Sequence, residues 1–265
     1  MKCNIVIESV SKRKNSKKYD VITNDESYIM SEDTIIKFQV FKGKEFSESE
    51  FKKIIYDVKL SEYFNKVLNY LSYSLRSEYE INMYINKIDS EKALKIKDKN
   101  MIINRLKDLN YIDDLTYSKQ MLDYYKDNKG RNFIKNFLKE KRIDNSIIEE
   151  VISLYSDSDE IEVGIKISNK YLQTIRKYPF RKQRQMLMNK LIRSGFSQSN
   201  IHKISENSIF EDDSKISLEK DIIKLIRKLE KKDISDYEKK KYIVSSLMSK
   251  GYEFRDINEA LKNIE

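Results

Sequence analysis

The chain has 265 residues, a net charge of +9 and a charged fraction of 36% against 39% apolar, so it is richer in charge than an average globular chain. Its 18 Tyr and 11 Phe still supply bulky side chains for a core, which excludes wholesale disorder. Five Gly and one Pro exclude collagen-like, Pro-rich and all-β chains, whose turns need those residues, and point to a mostly helical protein. One Cys, Cys3, and one His, His202, exclude a disulfide framework, a Cys-rich zinc site and a His-His metal site. No run approaches a membrane span, and the N-terminus lacks the long apolar stretch of a signal peptide, so the expectation is a cytoplasmic protein.

In chain order, residues 4–10, 19–22 and 27–30 read as short strands, with Asn24-Asp25 as a turn and Ser11–Lys18 as a basic loop. A sheet of two or three strands is marginal alone and should pack on the helices that follow. Ser31-Glu32-Asp33 can cap a helix carrying Ile35, Ile36, Phe38 and Val40 and ended by Gly43. Ser47 with Glu50 is a capping box before Phe51, Ile54, Ile55 and Val58.

The rest repeats. The segment 185–196 recurs at 241–252, an offset of 56, and related segments occur at 133–143 and 80–85. Periods near 50 imply one supersecondary unit stacked on its neighbours. Each unit reads as three helices, the second with apolar pairs at i, i+4: Ile81/Ile85, Ile134/Leu138, Leu187/Leu191 and Ile243/Leu247. An example of the first is Glu160–Lys177, and the third helix of the first unit is expected over Ser90–Leu109. Pro179 suits the first turn of a second helix. Gly195 and Gly251 stand where a helix end favours a left-handed residue. Arg142 stands at the same place, so its turn must be strained or different. The expected division is an N-terminal β-plus-helix module over 1–62, then repeats over 63–112, 113–157, 158–208 and 209–265.

No catalytic set is legible. There is no Gly-rich phosphate loop, and a lone His cannot build a Ser-His-Asp triad. His202 reads as surface. The acidic pair Asp113-Asp114 precedes a helix near Leu115, so an N-cap explains it. Neither a metal nor a cofactor is expected.

Charge is distributed unevenly. From Val163 to Ser205 there is no Asp or Glu but ten cations, so the remainder of the chain sums to −1. Such a run suits a polyanion, and Lys177, Arg181, Lys182, Arg184, Lys190 and Arg193 are its candidate phosphate contacts. Tyr171, Tyr178 and Phe180 are interleaved and read as core packing rather than base stacking. A second basic stretch, Lys129–Arg142 with Glu140 as its one acid, places Arg131, Lys135, Lys139 and Arg142 on one helical face with no partner acid, which suits either a phosphate track or a solvent-exposed face.

Leu75-Arg76-Ser77-Glu78 with its surroundings, Leu106 through Asp114, Lys129-Gly130-Arg131 through Ile143, and Leu191 through Phe196, in this order, resemble the RecX family of bacterial recombination regulators. The N-terminal β segment and the fourth repeat resemble the longer Gram-positive members. Asn110 and Arg142 depart from the family pattern, both at usual glycine positions. The resemblance implies tandem helix-turn-helix-like units in an elongated, curved array. It implies a non-enzymatic monomer that binds the RecA recombinase and its filament on single-stranded DNA, and modulates, in the direction of inhibition, strand exchange and ATP hydrolysis in recombination, DNA repair and the SOS response. A helix-turn-helix transcription factor and a protein-binding scaffold are the alternatives.

Overall fold

The computed structural model describes residues 4–14, 16–89, 94–211, 213–230 and 234–263. They form two compact units, Met1–Tyr117 and Ser118–Glu265.

The first unit opens with β1 (Ile5–Lys12), β2 (Lys18–Thr23) and β3 (Ser27–Ser31), joined antiparallel. The turn at Asn24-Asp25 is held by Thr23, whose hydroxyl accepts from the Asp25 and Glu26 amides at 3.3 and 3.0 Å. A fourth strand, β4 (Glu45–Phe46), pairs with Ile5 and Val6, giving the order β3-β2-β1-β4. Two residues are too short for any period, so the sequence suggested only two or three strands. One face of the sheet buries Ile7, Val21 and Met30.

Helix α1 (Glu32–Phe38) is capped by Ser31, which accepts from the Thr34 amide. It stops earlier than expected. Gln39 adopts φ 52°, and Val40 leaves the helix to join the core under the sheet, while Gly43 serves the following turn. Burying Val40 outweighs the small cost of a non-glycine residue in the left-handed region. Helix α2 (Glu48–Leu71) begins at the Ser47/Glu50 capping box. Its first half covers the sheet with Phe51 and Ile54; its second half packs Phe64 and Val67 against α3 (Glu78–Ile88) and α4 (Ile96–Asp108). The expected helix over Ser90–Leu109 is shorter: 90–93 lie outside the described residues, and Lys95 is the N-cap of α4.

From there come α5 (Asp114–Tyr125), α6 (Arg131–Glu140), α7 (Asn145–Ser153), α8 (Asp157–Ile175), α9 (Phe180–Arg193), α10 (Gln198–Glu206), α11 (Ser214–Leu229), α12 (Asp236–Ser249) and α13 (Phe254–Lys262). Helices α8–α10 share one core, with Leu172, Leu187 and Ile204 at its centre, and α11–α13 share another around Ile222, Leu247 and Ile257. Every residue of the four repeated apolar pairs is buried, each at 5% exposure or less. The architecture is mostly α, in tandem three-helix units, with a small antiparallel β module.

Left-handed residues recur at the helix ends: Gly195 at φ 77°, Gly251 at φ 100°, and the non-glycines Asn110 at 56° and Arg142 at 57°. Arg142 therefore keeps the repeated turn and bears its strain, about 1–2 kcal/mol. Pro179 is the N-cap of α9 rather than a first-turn residue, and α8 begins at Asp157, three residues before the expected start.

One junction between repeats is seen in atomic detail. The Gly130 amide donates to Ser194 O at 3.0 Å and the Asn132 amide to Gly195 O at 2.9 Å, docking the start of α6 on the α9–α10 turn. A Cβ at Gly130 would lie 2.2 Å from the Phe196 Cα, so only glycine admits this approach.

Candidate nucleic-acid interface

Helix α9 buries Gln183, Leu187 and Leu191 on one stripe. Gln183 fixes its start: Nε2 donates to Tyr178 O and to Glu211 O, both at 2.7 Å. With that stripe inside, the cations must lie on the rest of the helix surface. Arg181, Arg184, Lys190 and Arg193 are exposed, and Lys182 is half-buried with its Cβ beside Gly251. Among the described residues none of the five has a carboxylate within 4.0 Å. Lys177 is exposed just before α9, its ammonium 5.5 Å from the Tyr178 ring centroid.

The helix does not gather these cations into one row. Lys182 and Arg193 share a flank at i and i+11, about 16 Å apart along the axis, whereas Arg181 and Arg184 lie round the other side. Arg181 and Lys182 line a groove of about 480 Å³ with Lys250, which sequence spacing could not place there and whose ammonium is paired with Asp221 at 3.0 Å. Arg193 lines another, of about 510 Å³, opposite Asn132, Asn136 and Glu140 of α6. Arg176, within the acid-free run, is paired, with Nε 3.0 Å from Asp213. Of the interleaved aromatics only Tyr171 packs on the core; Tyr178 and Phe180 are 37% and 47% exposed, and Phe180 rests on the Phe210 ring at 4.9 Å.

The second basic stretch is different from its sequence reading. Arg131 pairs with Asp157 and Lys135 with Glu149, while the Arg131 Nε lies 3.5 Å from Glu160 Oε2, in ion-pair reach but outside hydrogen-bonding geometry. The partner acids come from α7 and α8, beyond any i, i+4 pattern. Arg142 lies past the end of α6 and so does not continue the face of Arg131, Lys135 and Lys139. Lys139 is exposed.

Glu160 organises this junction although its side chain is fully buried. Its carboxylate accepts from the Arg131 amide at 2.9 Å, the Ser197 amide at 3.1 Å, the Ser197 hydroxyl at 2.5 Å and Asn200 Nδ2 at 2.7 Å. One side chain thereby satisfies the N-terminal amides of α6 and α10. Asp157, beside it, is held below the ordinary carboxylate range, first by the Asn200 hydrogen bond and then by the Arg131 charge. In the first unit Asp114 accepts from the Glu78 amide at 2.8 Å, and burial pushes its carboxyl upward. Asp113 caps α5 through the Leu115 and Thr116 amides. His202 is exposed beside Glu206.

Among the described residues no three His, Cys, Asp or Glu side chains cluster as a metal site, and no helix is long and apolar enough to cross a membrane. Fold and surface together define a helical-repeat protein whose prominent exposed feature is unpaired positive charge.

No family model matches the chain. Individual relatives do. It is 30% identical over 211 residues to the regulatory protein RecX of Bacillus licheniformis, covering 78% of this chain and 79% of that one. It is also 30% identical over 247 residues to that of Streptococcus agalactiae serotype V, covering 91% and 93%. A crystal structure of a regulatory protein RecX shares the fold with a TM-score of 0.64 at 23% identity, over 76% of this chain and 99% of that one. The chain belongs to the RecX family of regulatory proteins.

Proposed function

We propose that the protein is a non-enzymatic regulator of the RecA recombinase, acting in the cytoplasm as a monomer of four three-helix repeats behind its β module. In this reading it binds RecA filaments on single-stranded DNA and restrains strand exchange and ATP hydrolysis. Family membership supports a regulatory role. The observation that carries the nucleic-acid part is α9, whose exposed cations are free of carboxylates among the described residues. Unpaired cations release counterions from a phosphate backbone on contact, whereas paired ones must first give up their own partners.

Salt dependence tests this. Changing Lys182, Arg184, Lys190 and Arg193 together to Gln should shrink the slope of log affinity against log salt by roughly 2–3 units, at about 0.7 per phosphate contact on a single strand. Stability should hardly move, because surface cations contribute little. Neutralising Lys239, Lys240 and Lys241 should do less, since Lys239 is already 3.3 Å from Asp236. The measurement is anisotropy of labelled single-stranded DNA, bare and RecA-coated, at several salt concentrations. An unchanged slope in the α9 variant overturns the nucleic-acid part.

A further inference from the structure

Helix α12 is apolar on two faces. Ile243 and Leu247 fill the core of the last repeat. Roughly a quarter turn round the helix, Tyr237, Val244 and Met248 fall at i, i+7 and i+11, with Lys241 between them. Tyr237 is 77% exposed and Met248 48%. Across the floor stands Phe254 of α13, 57% exposed. Together they line an open groove of about 720 Å³ that has no carboxylate in its wall.

The repeat gives an internal reference. At the offset of 56, Tyr237 corresponds to Arg181, Val244 to Met188, Met248 to Ile192 and Phe254 to Gln198. The preceding repeat thus has an arginine and a glutamine where the last has two aromatic rings. The last repeat alone of the two presents an aromatic at each end of this face.

We propose that this groove docks an acidic amphipathic helix on the protein surface of the RecA filament, an inference that rests on the reading above. Groove length, chemistry and charge each bear on the occupant. From Tyr237 to Met248 the stripe spans about 16 Å, or three helical turns, which suits apolar anchors at i, i+3/i+4 and i+7 of a partner helix. The floor between the two rings is aliphatic, from Val244 and Met248, so successive bases along a strand would find no continuous stacking platform here. Lys241 at the rim, with no acid lining the groove, favours carboxylates flanking the partner's anchors. Protein contact here and phosphate contact on α9 are then separate functions of adjacent repeats.

The test uses the full chain with cognate RecA assembled on single-stranded DNA, and with the same DNA bare. The variant Tyr237→Ser/Phe254→Ser removes two largely exposed rings, so its urea midpoint should stay at the wild-type value. Its affinity for the filament should fall about tenfold or more, as for loss of aromatic anchors, with the salt slope unchanged and bare-DNA binding intact. Lys241→Glu should also weaken filament binding, whereas Tyr237→Phe/Phe254→Tyr should retain it. Filament affinity within twofold of wild type for both disruptive variants overturns the groove and leaves the regulator reading standing. Equal loss on bare DNA overturns it in favour of a nucleic-acid groove. Absence of wild-type binding to the filament overturns both.

Discussion

Helices α6 and α9 occupy equivalent places in successive repeats, and both read in sequence as basic faces. The structure separates them. On α6, Arg131 and Lys135 meet Asp157, Glu160 and Glu149, which arrive from α7 and α8. On α9, five cations meet no carboxylate among the described residues: the acid-free run reaches Ser205, and Glu206 at the end of α10 lies beside His202. Arg131 therefore ties α6 to α8 of the next repeat and Lys135 ties α6 to α7 within its own, whereas the α9 cations stay unpaired among the described residues. Charge counted along a chain predicts surface potential only where neighbouring elements bring no acids of their own.

The strongest way to break this comparison is Glu160→Ala. It removes a buried acceptor from the amides of Arg131 and Ser197 and strips Arg131 of its buried partner. The expected loss is about 3–5 kcal/mol in urea melts; a loss under ~1 kcal/mol would mean that α6 is not held by this junction. Next, Leu138→Ala and Leu191→Ala should each cost about 2–5 kcal/mol, since both side chains are completely buried. Similar losses would show that α6 and α9 share a floor and differ only on their outer faces, while a loss below ~0.5 kcal/mol at either would sink the equivalence. Gly195→Ala should cost at least about 1–2 kcal/mol from its left-handed backbone. Its Cβ would also lie 2.3 Å from the Phe133 amide, so the α6 contact should loosen, with faster amide exchange at Asn132. Wild-type stability and exchange would count against the docked turn.

The smallest effect is in pH. Asp157 is held below its ordinary value of 3.8 by Asn200 and Arg131. A lowered carboxylate adds stability above the unfolded-state value and loses it as pH falls through the folded one. Acid melts should therefore show a contribution that fades below about pH 4 and is absent in Asp157→Asn. A pH-independent difference between the two proteins would contradict this pairing.

Local signals were legible because each needs only a few neighbouring residues. The Ser47/Glu50 box starts a helix through two side-chain–backbone bonds, and the i, i+4 pairs from Ile81/Ile85 to Ile243/Leu247 mark the buried stripe because 3.6 residues make a turn. Left-handed helix ends were legible at Gly195 and Gly251, where glycine lacks the Cβ penalty. The early stop at Gln39 was not, because it is driven by Val40 reaching a core assembled from the sheet and α2.

The sequence by itself therefore determined the helical class, the repeat and its buried positions, since periodicity and capping are properties of short segments. Tertiary structure alone decided which cations have partners, that Glu160 ties α6 to α10, and that Tyr237 and Phe254 face one groove. Those outcomes depend on residues from 14 to 40 positions apart, brought together by packing between helices, and no local pattern encodes that proximity.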